Sequence, residues 1–262
     1  FFSMYNGGAP NDVKKFFDLK KKLNCYFIED ACHALGSKYS IKKNEIVGNC
    51  KKSDICIFSL HPVKSITTGE GGVLCTNSEK IFRSASNLKN LGIVRKKSTK
   101  KKLNWSYNIN SYGLNYRLSD LNCALGLTQL KKLNFFILKR KKIADNYTRC
   151  FKKYSKYIST PVKNSDVSSA WHLYIIRLNL KELRIDRNKF MNLLHKYNIG
   201  TQVHYIPIYK FSAYKNLKKS HLKKSEIYFK GCLSLPVFPD LNIIDQKRIV
   251  KKIILIIEKY KN

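Results

Sequence analysis

The sequence predicts an α/β protein, with a mostly parallel, helix-covered sheet in its first half and a smaller α+β region in its second. Short apolar runs alternate with helical segments up to about residue 134. Those runs are nearly continuous rather than alternating, as in strands buried on both faces. From about residue 150 the texture changes to shorter strands and helices. The expected division is therefore 1–134 for the large part and 135–262 for a long connecting helix plus a small domain.

The opening reads as a βαβ unit. Phe1 to Tyr5 forms a short strand, and Asn11 or Asp12 caps a helix through Asn24 with Val13, Phe16, Phe17, Leu19 and Leu23 apolar. Tyr26-Phe-Ile is a second strand ending at Glu29-Asp30. After a polar stretch, Asp54–Ser59 is a third and Gly72–Thr76 a fourth. Residues 95–104 form a basic loop. Ser119 then caps a long helix in which Leu121, Leu125, Leu130, Leu133 and Ile137 recur at helical spacing. Beyond it, Trp171–Leu178 reads as a strand, and Asp186 caps a helix over Phe190, Leu193, Leu194 and Tyr197, with Gly200 after its end. Thr201–Ile206 is expected as a further strand, and Asp245 as the start of a terminal helix.

Composition narrows the function classes. Of 262 residues, 44% are hydrophobic, so a core can form. The longest aliphatic run, Ile253–Ile257, is too short to cross a bilayer, which argues against a membrane protein. No signal peptide is visible, although the chain begins Phe1-Phe2 rather than with Met. The eight cysteines stand singly without a CxxC pair, and His172, His195 and His204 show no metal spacing, so no metal is expected. Apolar neighbours around Cys56 and Cys75 imply reduced thiols and a cytoplasmic location. The net charge of +34 invites a nucleic-acid reading. Lys-Lys pairs are spread along the whole chain, however, and Lys, Asn and Ile share A/T-rich codons. Genome composition explains the bias more simply, and no specific nucleic acid is expected as a partner.

Chemistry concentrates in two segments, Tyr26-Phe-Ile-Glu-Asp-Ala-Cys-His33 and Phe58-Ser-Leu-His-Pro-Val-Lys-Ser-Ile-Thr-Thr-Gly-Glu-Gly-Gly72. In parallel sheets ligands sit beyond the carboxyl ends of the strands, and both Asp30 and Lys64 fall at or just past such ends. A lysine in so basic a chain reads by default as a solvated group. Lys64 instead follows an apolar strand and Pro62 and precedes a glycine turn, where partial desolvation would push it toward a nucleophilic range. Asp30 alone reads as a cap for the Ala31–Leu35 turn. Paired with Lys64 it becomes the acid that holds a pyridinium nitrogen protonated, with the lysine as the amine that forms a Schiff base. Those two groups are what pyridoxal 5'-phosphate requires. His33 reads equally as a ring neighbour or a structural histidine, and Ser59 and His61 could reach a phosphate. There is no GxxxxGK[ST], GxSxG or HExxH pattern.

These segments, together with Gly113-Leu-Asn-Tyr-Arg-Leu-Ser-Asp120, Ala124–Leu130, Gln202-Val-His-Tyr-Ile-Pro207 and Leu233-Ser-Leu-Pro236, resemble the DegT/DnrJ/EryC1/StrS family in its order of blocks. The resemblance implies the aspartate-aminotransferase (type I) fold and a PLP-dependent nucleotide-sugar aminotransferase. Lys64 would then carry the cofactor, Asp30 pair with its ring nitrogen, His33 lie beside the ring and Ser59 bind its phosphate. Asn115 would reach the phosphate of a neighbouring subunit's cofactor, making a homodimer part of the site. His204 and Tyr205 would contact the sugar nucleotide and Arg117 a substrate anion, although packing or helix entry accounts for these three nearly as well. Trp105-Ser-Tyr107 and Gln202–Tyr205 are similar to enzymes of pseudaminic acid synthesis. Those move an amino group from glutamate to C4 of a UDP-linked 4-keto-6-deoxy-N-acetylhexosamine. Family members run further at the N-terminus, with a Ser/Thr-Gly-Thr phosphate loop and a ring-stacking aromatic, so the chain is expected to start inside the large domain. Competing expectations are a same-fold enzyme on another keto sugar, an inactive fragment and a basic nucleic-acid-binding protein.

Overall fold

A computed structural model describes residues 1–95, 106–162, 164–214, 216 and 222–262. Trp105 and all of the basic loop except Arg95 lie outside the described residues. The chain divides into two compact units, Phe1–Tyr5 with Pro10–Leu133, and Asn6–Ala9 with Asn134–Asn262.

In the first unit, β1 (Phe2–Met4), α1 (Val13–Leu23) and β2 (Ile28–Asp30) form the βαβ opening. The Asp12 carboxylate accepts from the Lys15 N–H at 3.2 Å and starts α1, and Asn24, in the left-handed region at φ 45°, ends it. Phe16 and Phe1 both stack on Phe27, so the apolar side of α1 is spent on the strand it precedes. A hairpin of β3 (Lys38–Ser40) and β4 (Glu45–Ile46) occupies the polar stretch for which the sequence predicts no element.

Then come β5 (Ile55–Ser59) and β6 (Gly72–Cys75), giving a four-stranded sheet of order β1-β2-β5-β6. The first two pairings are parallel and the last antiparallel, so the mixed sheet remains mostly parallel. Asp54 ties the layers together: its carboxylate takes the Lys20 ammonium at 2.7 Å and the Phe27 N–H at 2.8 Å. The helix α2 (Glu79–Leu88), capped by Ser78, follows, then the pair β7 (Ile93–Val94) and β8 (Asn108–Ile109).

The helix α3 (Asp120–Phe151) runs across the residue at which the units divide, and Ser119 accepts from the Asn122 N–H at 3.3 Å at its start. In the second unit, β9 (Ile158–Ser159), β10 (Tyr174–Leu178), α4 (Arg187–Lys196), α5 (Lys223–Gly231), β11 (Cys232–Leu235) and α6 (Ile243–Tyr260) form an antiparallel sheet, order β11-β10-β9, with helices. Its core holds Tyr147, Phe151, Tyr174, Phe190, Leu194, Leu233, Ile253 and Ile257. Burying each such side chain contributes about 1.5–3 kcal/mol.

Three expectations are corrected here. Thr201–Ile206 is not a strand. It makes one isolated bridge, Gln202 to Ser234, because Pro207 and the turn after it remove further pairing. The residue with positive φ after α4 is Asn198, at 55°, not Gly200. Finally, α6 starts two residues before Asp245, capped by Asn242, whose side chain accepts the Asp245 N–H at 2.8 Å. No helix among the described residues is long and apolar enough to cross a membrane.

Candidate active site

The register of β2 and β5 decides which side chains share a face. Glu29 lies opposite Cys56 and Asp30 opposite Ile57, and Ser59 follows two residues on, so Asp30, Ile57 and Ser59 face one way and Glu29, Cys56 and Phe58 the other. The Glu29 side is closed. Cys56 and Phe58 pack with Tyr5, Ala31, Ala34, Val47 and Cys50, and the Tyr5 and Tyr39 hydroxyls both donate to the Glu29 carboxylate. The Asp30 side is half-buried.

At the end of β2 the chain turns sharply: the Ala31 N–H bonds to the Ile57 carbonyl at 2.9 Å and the Ala34 N–H to the Ala31 carbonyl at 2.8 Å. The Asp30 carboxylate accepts the Cys32 N–H at 3.1 Å, which makes the Asp30 side chain the cap of this turn. His33, in the same turn, is buried with 2% of its surface exposed.

Lys64 sits in the connection from β5 to β6. The Lys64 N–H bonds to the His61 carbonyl at 2.9 Å, the Leu60 N–H to Gly71 at 2.9 Å and the Thr68 N–H to Leu60 at 3.0 Å, so the loop is braced at both ends. Ser65, Ile66 and Thr68 are buried while Lys64 is half-buried, which anchors the backbone and leaves the amine on a short tether. Gly69 and Gly71 take φ of +80° and +152°, and a Cβ at Gly71 would lie 2.6 Å from Thr68 Oγ1. The Asn122 amide of α3 donates to the Thr68 carbonyl, fixing the loop from below. Ser59 Oγ accepts the His61 N–H at 3.4 Å.

Cys32 lies in the turn that follows Asp30. Its thiol is pushed up to about 11, first by burial and then by its hydrogen bond to the Asp30 carboxylate, and the Lys64 ammonium opposes the rise.

Asn115 and Arg117 stand on another support. Both are exposed on the segment after β8, where Asn115 bridges to Asn90 and the Arg117 guanidinium donates to Asn90 Oδ1 at 2.9 Å. His204 and Tyr205 belong to the second unit. His204 Nδ1 lies 2.7 Å from Ser234 Oγ, and the two rings meet edge to face at 4.7 Å. Tyr205 also lines a cavity of about 880 Å³ with Tyr209, Phe211, Tyr228, Phe229 and Lys224. Sequence reasoning missed Cys32 and Glu29 as parts of this region. Strand alternation about Asp30 was the available signal: it sends residue 29 inward, and it sets residue 32 in the turn beside the carboxylate. Among the described residues no cluster of His, Cys, Asp or Glu could hold a metal ion.

Comparison with known proteins gives a consistent picture. The model of the DegT/DnrJ/EryC1/StrS aminotransferase family matches residues 4–254. The chain is 39% identical over 255 residues to the UDP-4-amino-4,6-dideoxy-N-acetyl-beta-L-altrosamine transaminase of Campylobacter jejuni, covering 97% of this chain and 64% of that protein. To the Bacillus subtilis spore coat polysaccharide biosynthesis protein SpsC it is 30% identical, over 94% of this chain and 64% of that one. Among solved structures, Helicobacter pylori PseC, an aminotransferase involved in the biosynthesis of pseudoaminic acid, superimposes with a TM-score of 0.88. The identity is 32%, over 98% of this chain and 66% of that one. The PLP form of the sugar aminotransferase Spr1654 of Streptococcus pneumoniae gives 0.83 at 27% identity, over 98% of this chain and 68% of that one. The chain thus spans a little under two thirds of the length of these curated relatives, 64% in each case.

Proposed function

This chain belongs to the DegT/DnrJ/EryC1/StrS aminotransferase family, and from that premise we propose that it belongs to a pyridoxal-phosphate-dependent transaminase acting on a nucleotide sugar. The observation that carries the proposal is the placing of Asp30 at the end of β2 and of Lys64 in the braced loop that follows the neighbouring strand β5. A carboxylate and a primary amine converging from neighbouring strand ends, with the Ser59 hydroxyl on the same face as Asp30, form the donor set that fits a phosphorylated pyridine aldehyde. When bound, that cofactor supplies an aldehyde to carry the amino group and a ring that takes up electrons from the adjacent carbon.

The protein's own groups do the rest. Asp30 holds a proton at the ring nitrogen, a role suited to an anion already fixed by the Cys32 N–H. Lys64, on its braced loop, would hold the cofactor and would take up and return the proton at the reacting carbon. Ser59 donates to the phosphate, and His33, buried beside Asp30, excludes water from that edge. Asn115, exposed on its segment, reaches the cofactor phosphate of a second copy in a homodimer. His204 and Tyr205 contact the sugar nucleotide and Arg117 the substrate anion. Residues 1–134 form part of the cofactor-holding large domain and 135–262 the connecting helix and small domain. The amino donor is glutamate and the acceptor a UDP-linked 4-keto-6-deoxy-N-acetylhexosamine, as expected for pseudaminic-acid-type surface glycans made in the cytoplasm. The 39% identity to the Campylobacter jejuni transaminase supports that choice.

The test uses the full-length protein. Added PLP is expected to give the absorption band of a lysine-bound cofactor, borohydride is expected to trap it on Lys64, and glutamate with the keto sugar is expected to yield an amino sugar. A Lys64→Ala protein with the same band would overturn the assignment of Lys64. A band without glutamate-dependent product would overturn the substrates.

A further inference from the structure

We propose that Asn122, in the first turn of α3, is a positioning residue for Lys64: its side-chain amide pins the Thr68 carbonyl, and with it the loop that carries the amine, to the start of the long helix. The inference rests on the reading that Lys64 captures pyridoxal phosphate.

The loop between β5 and β6 closes on itself. The Thr68 N–H and the Thr67 hydroxyl both donate to the Leu60 carbonyl, each at 3.0 Å, and the Leu60 N–H donates to the Gly71 carbonyl at 2.9 Å. Lys64 stands midway between Leu60 and Thr68 in the chain. With the span closed at both ends, a shift at Thr68 is passed to the Lys64 backbone. Thr68 is 2% exposed and each of its polar groups is engaged: its N–H with Leu60, its hydroxyl with the Glu70 carbonyl at 2.6 Å, and its carbonyl with the Asn122 amide. Of these three bonds, the one from Asn122 alone comes from another element.

The helix is shaped for that contact. The Ser119 hydroxyl donates to the Asn122 amide oxygen, which leaves the amide nitrogen turned to the loop. One turn further on, Gly126 faces the same threonine, and a Cβ there would lie 2.7 Å from the Thr68 methyl carbon. Helix and loop therefore meet at a separation that only glycine permits. Losing the Asn122 donor would strand a carbonyl in a residue closed to water, so the loop would have to move to satisfy it.

The experiment mixes the full-length protein with PLP and times the appearance of the lysine-bound absorption band, as the Lys64 amine attacks the aldehyde carbon and water leaves. Pyridoxine phosphate, which has an alcohol in place of the aldehyde, reports non-covalent binding to the same protein. In Asn122→Asp the side chain keeps its size, and an acid in the first turn suits the helix N-terminus, but at neutral pH no donor faces the Thr68 carbonyl. Capture of PLP is expected to slow about tenfold, between the effect of one lost hydrogen bond and that of an amine misplaced by about an ångström, while affinity for pyridoxine phosphate stays within about twofold. Asn122→Gln, which keeps an amide donor, is expected to recover most of the rate. Wild-type capture in Asn122→Asp, an equal loss of pyridoxine phosphate binding, or no recovery in Asn122→Gln would overturn the inference and leave the cofactor reading standing. If wild-type protein forms no band with PLP, the cofactor reading itself fails, and the inference with it. Should Asn122→Asp not fold, Asn122→Ala is judged by the same two measurements.

Discussion

Replacing Tyr5 by Phe removes one oxygen atom from a side chain with no exposed surface. That oxygen is one of two hydroxyl donors to the Glu29 carboxylate, which is itself only 1% exposed. A hydrogen bond to a charged group contributes about 1.5–3 kcal/mol, and here the acceptor stays buried with one donor fewer, so a loss of about 2–3 kcal/mol is expected. Urea unfolding at neutral pH measures it as a lower midpoint with an unchanged slope.

A second reading comes from alkali. Burial first, and then the charge of Glu29, pushes the Tyr5 phenol far above its ordinary 10.0. Burial first, and then Tyr5 and Glu29, does the same to Tyr39. The unfolded chain releases these protons near pH 10.0 while the folded chain keeps them, so above that pH the native state holds more protons. The stability these groups contribute is therefore fully present below pH 10 and falls as pH rises beyond it, by about 1.4 kcal/mol per pH unit for each group. Tyr5→Phe, though weaker at neutral pH, should lose stability less steeply in alkali by about that one increment. A midpoint equal to wild type, or an unchanged alkaline slope, would refute the claim that Tyr5 holds Glu29.

Gly71→Ala puts a Cβ 2.6 Å from Thr68 Oγ1 at a φ of +152°. It should lower stability by about 1–3 kcal/mol and weaken the lysine-bound absorption band, as thermal melting and spectroscopy would reveal. A normal melt with a normal band would show that the turn does not position Lys64. Arg140→Met should destabilise the second unit by about 3 kcal/mol, because the buried guanidinium serves the carbonyls of Trp171, His172 and Val237 at 3.4, 3.3 and 2.6 Å. Hydrogen exchange should accelerate around residues 171–173 and 237, and unchanged protection there would count against this role.

Local signals were legible wherever cause and effect lie within one or two turns of chain. Asp12, Ser119 and Asp186 read as caps and are caps, because a short polar side chain and the N–H it accepts are three residues apart. The same reasoning placed the start of α6 at Asp245, but Asn242, three residues earlier, has the better position and takes the Asp245 N–H. The hairpin of β3 and β4 was missed because Lys38–Ser40 and Glu45–Ile46 lack apolar alternation. Their pairing depends on Val47 and Tyr39 packing toward Tyr5 and Glu29.

The sequence by itself determined β1, α1, β2 and β5, the long helix after Ser119, the family, and the positions of Asp30 and Lys64 at and just past the ends of two strands. These follow from contacts near in sequence and from side chains whose chemistry needs no partner to be recognised. Tertiary structure alone decided that Glu29 turns inward to two tyrosines, that β6 runs antiparallel to β5, and that Thr201–Ile206 is denied a sheet. Each of those depends on register between segments far apart in the chain, and one residue of slip would exchange the inward and outward faces.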